Sequence, residues 1–455
     1  MSRRAGAVLA TAWTLLAVHG LPAGAGDPPA PAAFDGSFRL ENGEVITGGY
    51  FVEEGTGRYL YLEPEHAGRG GLFERIGETR LLSVFPDRSI EIEFFAGDQG
   101  GLDRLTWTEA GSEPLTAVRV HPHGSHPVEF LSGDGTRLRG RLLVPDCSGP
   151  HPVVISVHGS GPVNRYGGPY HTWFLTRGMA VLAYDKRGYT ADPADWEEPD
   201  LARLSADAAA AVEFAADHPR LDPRRIGIVG SSQAGWVVPR AAVEAPRTAF
   251  IVLRAGAATK HLDTVLHEVR QELRLAGLGG LELDYAVQLR REIYQLALAG
   301  APLSATDALV TPYLEEPWYG VAFGEGPVSG RWSPRWWGWA RRNLAVSSVP
   351  WLKQFPGPVL WFLAERDENV PLGAGRAALE EAFVDSPGND QKIVVVDDAA
   401  HSFLVHPAEG PARFSAGFFA PMGRWLLRPH GTVARGPWRQ RRRVRRGVTR
   451  CVPAS

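Results

Sequence analysis

Short segments in which apolar and polar residues alternate follow the N-terminal stretch of the chain. From residue 34 to about residue 120 they read GEVITGGYFV, RYLYLEP, TRLLSVFP, SIEIEFFAG and DRLTWTEA, with Gly, Asp and Pro between them. Short strand-like segments separated by turn residues at even spacing are typical of all-β folds. The pattern predicts a small β-rich module over 34–120, and the histidine-rich stretch at 121–127 is interpreted as a linker.

Continuous apolar runs replace this alternation from residue 128 onward. A hairpin is expected over 128–144, around the turn Gly133-Asp134-Gly135. Further strands are predicted at 153–157, 179–184, 226–229, 249–253, 359–363 and 393–396, and helices at 201–217, 235–244, 373–383 and 411–427. Buried β-branched strands that alternate with helices indicate an α/β fold, a mostly parallel sheet with helices on both faces. We expect this domain to span 128–430.

A long helical stretch interrupts the alternation after the predicted strand 249–253. It contains HLDTVLHEVRQELRLAG and LDYAVQLRREIYQLALAG, followed by an aromatic run. About a hundred residues is too long for a simple crossover loop. We interpret residues 257–350 as a helical cap inserted over the carboxyl edge of the sheet.

The N-terminal residues have the pattern of a secretory signal peptide. A basic start at Arg3-Arg4 precedes an apolar run at 5–18 and the sequence Ala-Gly-Ala at 23–25, which resembles a cleavage site. Residues 1–25 are therefore predicted to be a signal peptide and 26–33 a Pro/Ala-rich linker. The apolar run is short for a membrane span, so we expect a secreted protein without a stable membrane anchor.

The formal net charge of −3 hides an uneven distribution. Residues 431–455 carry eight arginines and no acidic residue, so the rest of the chain is more acidic than the total suggests. We interpret 431–455 as a basic disordered tail. Because an acidic body repels polyanions, no nucleic-acid partner is expected.

Cysteine and histidine usage gives no indication of a metal or cofactor. The two cysteines, Cys147 and Cys451, lie in the body and in the basic tail, and whether they pair is left open. The histidines at 121, 123 and 126 have no carboxylate or cysteine at ligand spacing.

The stretch RIGIVGSSQAGW at 225–236 places a serine between a strand and a helix. Gly230 and Ala234 flank Ser232 as in a G-x-S-x-G nucleophile elbow, in which the turn requires small residues two positions before and after the serine. If Ser231 were the nucleophile, Val229 would occupy one of these positions. Ser232 is therefore the predicted nucleophile.

A base and an acid follow later strands. Asp367 comes directly after the strand VLWFL, and His401 comes after the strand KIVVV. A serine nucleophile needs a base for its hydroxyl proton and a carboxylate that orients the base. The chain order Ser232, Asp367, His401 is the order found in one such fold class.

Other residues compete for these roles. Asp397 or Asp398 could replace the acid, and His406 could replace the base. Asp185 and Arg187, which follow a predicted strand, are interpreted as structural, and Asp207, on the predicted helix before the elbow, as a packing or capping residue.

The remaining predicted site residues would contact the substrate. Backbone N–H groups of Ser160, in the loop HGSGP, and of Gln233 are expected to form the oxyanion hole. Tryptophans cluster in the predicted cap, where Trp336 and Trp337 either line an acyl pocket or pack the cap.

Five segments carry a family resemblance: HGSGP (158–162), YDKRG (184–188), GSSQAGW (230–236), ERDENVP (365–371) and AHSF (400–403). Through them, residues 128–427 resemble the α/β-hydrolase superfamily, and in particular bacterial serine esterases and acyl-peptidase-like hydrolases. The one departure is Ala234 in place of the last elbow glycine.

The resemblance implies the roles of nucleophile, orienting acid and base for Ser232, Asp367 and His401. Together with the predicted signal peptide, it indicates an exported serine hydrolase that cleaves a small-molecule carboxylic ester through a Ser232 acyl-enzyme, without a cofactor. The alternatives are a serine peptidase or amidase, a hydrolase-fold binding protein without turnover, and a carbohydrate- or wall-binding role for the 34–120 module.

Overall fold

A computed structural model describes residues 34–53, 57–64, 71–84, 89–97, 102–167, 169–189, 199–388, 390–405 and 413–426. The predicted signal peptide (1–25), the linker at 26–33 and the basic tail (431–455) lie outside these residues, as do His406 and Cys451. Cys147 is disulfide-bonded.

The first eight strands form a closed antiparallel barrel in which each strand pairs with the next and β1 pairs with β8. They are β1 (Gly36–Leu40), β2 (Val45–Glu53), β3 (Gly57–Pro64), β4 (Gly71–Arg75), β5 (Arg80–Ser83), β6 (Ile90–Ala96), β7 (Leu102–Glu109) and β8 (Leu115–Val120). In β6, the buried side chains of Ile90, Ile92 and Phe94 alternate with the more exposed Glu91 and Glu93, because successive side chains of a strand point to opposite faces. The prediction of an all-β N-terminal module is confirmed.

A second sheet has eight strands in the order β16-β15-β14-β13-β11-β12-β10-β9. The strands are β9 (His123–Leu131), β10 (Arg137–Pro145), β11 (His151–Val157), β12 (Ala180–Tyr184), β13 (Leu221–Ser231), β14 (Thr248–Arg254), β15 (Val359–Ala364) and β16 (Gln391–Val396). Only the pairings of β10 with β9 and β12 are antiparallel. Two further strands of two residues each, β17 (Leu404–Val405) and β18 (Arg413–Phe414), pair with one another.

The prediction of a linker at 121–127 is wrong for most of its length. Strand β9 begins at His123, and its residues pair in register with β10, Pro127 opposite Arg141. Pro127 lies within this strand, and β9 is the edge strand of the sheet, where a residue without an N–H is tolerated.

Helices cover both faces of this sheet and also fill the long insertion. They are α1 (Pro169–Leu175), α2 (Leu201–Ala216), α3 (Ala234–Glu244), α4 (His261–Leu275), α5 (Gly280–Leu298), α6 (Ala305–Val310), α7 (Pro317–Phe323), α8 (Pro334–Asn343), α9 (Val349–Leu352), α10 (Leu372–Val384) and α11 (Ala416–Leu426). Alternate residues of β11 serve the two faces: Val153 and Ile155 pack with α2, α3 and α10, and Val154 packs with α1 and α11. The predicted α/β architecture is confirmed.

The segment 257–350, here called the helical insertion, lies between β14 and β15. Its helices α4 to α8 share a hydrophobic core of their own, which includes Leu289, Tyr319 and Trp337. Asn343, at the end of α8, connects the insertion to α2, because its Oδ1 accepts a hydrogen bond from the Leu201 N–H at 2.8 Å. Among the described helices, none is both long enough and apolar enough to cross a membrane.

The barrel contacts the second sheet directly. Asp35, just before β1, forms a buried ion pair with Arg141 of β10. A second contact joins the barrel to α1: the Thr172 hydroxyl donates a hydrogen bond to the Gly48 carbonyl of β2 at 2.8 Å. Helix α1 therefore packs against both the barrel and the sheet.

Candidate active site

Ser232 occupies a strained turn between β13 and α3. Its φ of 55° lies in the left-handed region, which costs a non-glycine residue about 1–3 kcal/mol. Backbone hydrogen bonds hold it there: its N–H donates to the Arg254 carbonyl at 3.1 Å, and its carbonyl accepts from the N–H groups of Gly235 (2.8 Å) and Ala257 (3.2 Å). The turn is thus fixed by β14 and the residues after it, which are remote in sequence.

Close packing around the turn explains its small residues. A Cβ placed on Gly230 would lie 2.5 Å from the Ala234 Cβ and 3.2 Å from the Val157 carbonyl oxygen. A Cβ placed on Gly235 would lie 2.3 Å from the Ala257 carbonyl oxygen. Alanine at position 234 fits because position 230 is glycine, so the departure from the G-x-S-x-G pattern leaves the turn intact.

The structure brings Asp367 and His401 together. Asp367 Oδ1 lies 2.8 Å from His401 Nδ1, and the two side chains are only 2% and 6% exposed. The same carboxylate oxygen accepts the N–H groups of Asn369 (3.0 Å) and Val370 (2.8 Å). The Glu368 carboxylate accepts the His401 backbone N–H at 3.1 Å. Asp367 therefore holds the His401 ring, and Glu368 holds the His401 backbone.

The competing acids are placed differently. Asp398 forms an ion pair with Arg366, and its side chain is 60% exposed. Asp397 is also exposed. In the described part of the chain, the ring of His401 therefore has Asp367 as its carboxylate partner, and the assignment of Asp367 as acid remains our proposal.

Arg254, which the sequence analysis missed, joins the serine turn to the histidine loop. Its carbonyl accepts the Ser232 N–H, and its guanidinium donates to the Ser402 carbonyl at 2.8 Å and to the Tyr170 hydroxyl. Ser402 follows His401 directly, so Ser232 and His401 lie at the same edge of the sheet. Within the described residues, the Ser232 hydroxyl forms no hydrogen bond with His401. In free enzymes, such catalytic contacts are often long and tighten only when substrate binds.

The loop predicted to supply an oxyanion donor lies against the serine turn. A Cβ on Gly159 would be 3.5 Å from the Ser232 Cβ, which places the peptide before Ser160 beside the nucleophile. Gln233 is buried at the start of α3. His158 donates from Nε2 to the Tyr184 carbonyl, and burial lowers its pKa to about 3, so it is neutral and structural.

A second residue that sequence reasoning missed is Lys186, the second residue after β12. It is 3% exposed, and its ammonium group donates to the Gly159 carbonyl at 2.8 Å and to Gln233 Oε1 at 2.7 Å. Burial lowers its pKa to about 7. The signals in the sequence were its position just after a buried strand and its place within the segment YDKRG (184–188).

The helical insertion approaches the Asp367 loop through α4. His267 Nε2 lies 3.4 Å from the Asp367 carbonyl oxygen. Burial, followed by the negative charge of Glu272, raises the pKa of Glu268 to about 7, while the charge of His401 acts in the opposite direction. The Glu268 carboxyl group of α4 thus interacts electrostatically with His401 and Asp367.

The two tryptophans predicted to line a pocket differ in burial. Trp337 is buried, and its indole N–H donates to the Ala301 carbonyl at 2.9 Å. Trp336 is partly exposed and packs edge-on against Trp332, with ring centroids 4.9 Å apart. Trp337 thus packs the helical insertion, and a pocket role for either side chain stays a prediction.

Among the described residues, no group of three or more His, Cys, Asp or Glu side chains is arranged to hold a metal ion.

Fold and site together define a class. A mostly parallel sheet carries a strained serine turn at its centre, and a buried Asp–His pair lies at the same edge of the sheet. The chain resembles the α/β hydrolases, as its motifs predicted.

Comparisons with known proteins agree with this class. The thiohydrolase aneE of Aspergillus aculeatus is 33% identical over 127 residues, which are 28% of this chain and 39% of that protein. The esterase EstD of Thermotoga maritima is 27% identical over 155 residues, or 31% of this chain and 35% of that protein. The chain thus spans less than half the length of either relative. No protein-family profile matches it.

Solved structures that the chain matches include the Pyrococcus furiosus esterase Pf2001, at 18% identity and a TM-score of 0.42, covering 67% of this chain and 91% of that one. Another is acetyl xylan esterase 1 from a Thermoanaerobacterium species, at 16% identity and a TM-score of 0.39, covering 74% of this chain and 86% of that one.

Proposed function

We propose that the protein is a serine hydrolase that cleaves a carboxylic ester through an acyl-enzyme on Ser232. The observation that carries the proposal is the buried hydrogen bond between Asp367 and His401, at the sheet edge where Ser232 is held at positive φ. The esterase and the thiohydrolase among its relatives support a hydrolase of ester type.

The geometry suggests a sequence of steps. Asp367 accepts the Nδ1–H of His401, so Nε2 is free to take the Ser232 hydroxyl proton as the serine oxygen attacks the ester carbon. The resulting oxyanion accepts hydrogen bonds from the N–H groups of Ser160 and Gln233. Collapse of this intermediate breaks the bond to the alcohol, which leaves with the proton from His401. Water then repeats the attack, releasing the carboxylic acid and regenerating Ser232.

The helical insertion is proposed to act as a cap over this site, because α4 contacts the Asp367 loop through His267. Trp336, which is partly exposed, would then form one wall of an acyl pocket. If so, Trp336→Ala changes the preferred acyl chain length among p-nitrophenyl esters, while Ser232 is still labelled by a fluorophosphonate at close to the normal rate. Loss of stability with an unchanged chain-length profile would show that Trp336 only packs the insertion.

Covalent labelling tests the serine assignment directly. A fluorophosphonate probe should modify Ser232, as located by peptide mapping, and Ser232→Ala should abolish both labelling and ester turnover, a loss on the order of 10⁶ in kcat. The neighbouring Ser231→Ala is the matched control and should remain active. An active Ser232→Ala variant beside an inactive Ser231→Ala variant would move the nucleophile by one residue.

Substrate profiling separates the ester from the amide. We expect p-nitrophenyl esters to be turned over in preference to aminoacyl anilides. The reverse preference would favour the peptidase alternative, and labelling without turnover of either class would point to a binding protein.

Export is proposed from residues 1–25 alone. Expression of the full chain in a bacterial host should yield a mature protein that begins near residue 26, as measured by intact mass. Recovery of the uncleaved chain from the cell interior would contradict export.

A further inference from the structure

Lys186 lies where two predicted oxyanion donors meet. Its side chain is 3% exposed and reaches from the end of β12 to the Gly159 carbonyl and the Gln233 side chain. Its own backbone N–H donates to the Val163 carbonyl at 2.9 Å. The lysine therefore connects the 158–162 loop with the residue that follows the nucleophile.

The peptide bond that Lys186 contacts is the one that carries the Ser160 N–H. The carbonyl of Gly159 and the N–H of Ser160 belong to a single amide group, and the ammonium group donates to its oxygen. A charged donor on the carbonyl polarises the amide and strengthens its N–H as a donor on the opposite side. Lys186 also orients Gln233 through its side-chain oxygen, which fixes the second donor residue.

Among the described residues, no carboxylate forms a hydrogen bond or ion pair with the Lys186 ammonium group, whose partners are the Gly159 carbonyl and Gln233 Oε1. His158, from the neighbouring loop, is neutral because burial lowers its pKa. The adjacent Asp185 faces Arg165, at 3.4 Å, and the adjacent Arg187 is paired with Asp207 and Asp134. Within the part of the chain that the structure describes, Lys186 is therefore a cation without a carboxylate partner, and its charge is available to stabilise a negative charge that develops beside Ser232.

We infer that Lys186 is a positioning residue of the oxyanion hole, which holds the Gly159–Ser160 peptide and Gln233 in place and strengthens their donation through its positive charge. This inference rests on the proposed serine-hydrolase function. Lys186 acts through these neighbours and does not itself touch the substrate.

The test compares wild-type protein with Lys186→Met, which keeps most of the length of the side chain but removes the ammonium group and its charge. With p-nitrophenyl butyrate as substrate, we expect kcat to fall roughly 10- to 100-fold, less than the loss of a direct oxyanion donor, and KM to stay within about 2-fold. Inhibition by an alkyl boronic acid, which forms an anionic tetrahedral adduct with the serine, should weaken by a similar factor.

The pH profile separates charge from packing. Because burial lowers the pKa of Lys186 to about 7, wild-type kcat should decline as the lysine loses its proton above neutral pH. Lys186→Met has no such group, so its profile should lack this alkaline decline. A purely structural role would lower stability without changing the shape of the profile.

A matched control removes buried hydrogen bonds elsewhere. The hydroxyl of Ser205, fully buried in α2, bonds to the carbonyls of Leu201 and Val237, and Ser205→Ala should keep its kcat and boronate affinity. If Lys186→Met retains kcat within 2-fold and binds the boronate as wild type does, the inference is overturned.

A second variant covers the case in which Lys186→Met fails to fold. Gln233→Leu removes one acceptor of the ammonium group, so the alkaline decline should move to lower pH; an unchanged decline contradicts the inference. Fluorophosphonate labelling of wild type in the same preparation keeps the two questions apart. Absence of both labelling and ester turnover overturns the proposed function, whereas normal labelling and turnover with no effect at Lys186 overturns only this inference.

Discussion

The buried ammonium group of Lys186 should make the stability of the fold depend on pH in a way that Lys186→Met removes. Burial lowers the pKa of Lys186 from 10.5 to about 7. Between these values the unfolded chain binds a proton that the folded chain does not. Stability rises with pH wherever the unfolded state binds more protons, so the wild-type free energy of unfolding should increase from about pH 7 toward pH 10.

The size of the effect follows from the shift. One proton corresponds to about 1.4 kcal/mol per pH unit, which gives at most about 4 kcal/mol between pH 7 and 10. Lys186→Met also leaves the Gly159 carbonyl and the Gln233 side chain without a donor, at a cost of about 1–3 kcal/mol. That cost does not vary with pH. The slope of the stability difference against pH therefore reports the lysine charge, while its offset reports the lost hydrogen bonds.

Urea unfolding of both proteins at half-unit steps from pH 6 to pH 9.5 measures this slope. We expect wild type to gain stability relative to Lys186→Met as pH rises above 7. Lys353→Met is the control, because Lys353 is paired with Glu381 and Asp385 at 3.0 and 3.2 Å, which raise its pKa. A raised pKa keeps that contribution constant below pH 10, so the control difference should be flat. A flat difference for Lys186→Met would refute the view that burial destabilises its charged form.

Three further predictions address the site and its support. Asp367→Asn should lower kcat by on the order of 10⁴, because the imidazole loses its orientation and correct tautomer, whereas the exposed Asp398→Asn should leave kcat near wild type; steady-state kinetics that showed the opposite pattern would reassign the acid. Gly235→Ala should unfold at a markedly lower temperature, since its Cβ would lie 2.3 Å from a carbonyl oxygen. The control is Gly375→Ala, also in a helix, whose Cβ would have its nearest neighbour at 3.8 Å; it should be neutral or stabilising by up to about 1 kcal/mol. Equal melting temperatures for the two variants would contradict the packing argument. Trp337→Ala should destabilise the fold by about 3–5 kcal/mol, as measured by urea unfolding, and a loss below 1 kcal/mol would show that the side chain is not part of the core of the insertion.

Local sequence patterns were sufficient to predict most of the elements that position the site. The run Ile226 to Val229 is apolar and β-branched and lies within β13, and small residues at 230 and 234 allow the turn that follows. A buried parallel strand needs apolar residues on both faces. A strand of this kind can therefore be recognised from neighbouring residues alone. The resemblance of the chain to esterases rests on the same stretches.

Features that depend on distant partners could not be predicted. The strand at His123 exists because β10 offers it a pairing partner, although its histidines and Pro127 are typical of a loop. The hydrogen bonds by which Lys186 and Arg254 reach the site join residues that are 22 to 148 positions apart in the chain, and no periodicity marks them. A charged residue at the end of a buried strand is the only local feature that both share.

The distribution of strained backbone offers an argument for the site that does not depend on any motif. Five non-glycine residues in the described part of the chain have positive φ, and four of them, Ser232, Ala255, Asp398 and Phe403, follow the strands β13, β14 and β16. Such residues cost about 1–3 kcal/mol each and persist only where their surroundings fix them. Here hydrogen bonds do so: the Ala255 N–H donates to the Phe362 carbonyl at 3.0 Å, and the Phe403 N–H donates to the Ala400 carbonyl at 2.8 Å. Stability alone does not explain why these strained residues lie at one edge of the sheet. Their concentration around Ser232 and the His401 loop therefore supports the proposal of an active site there.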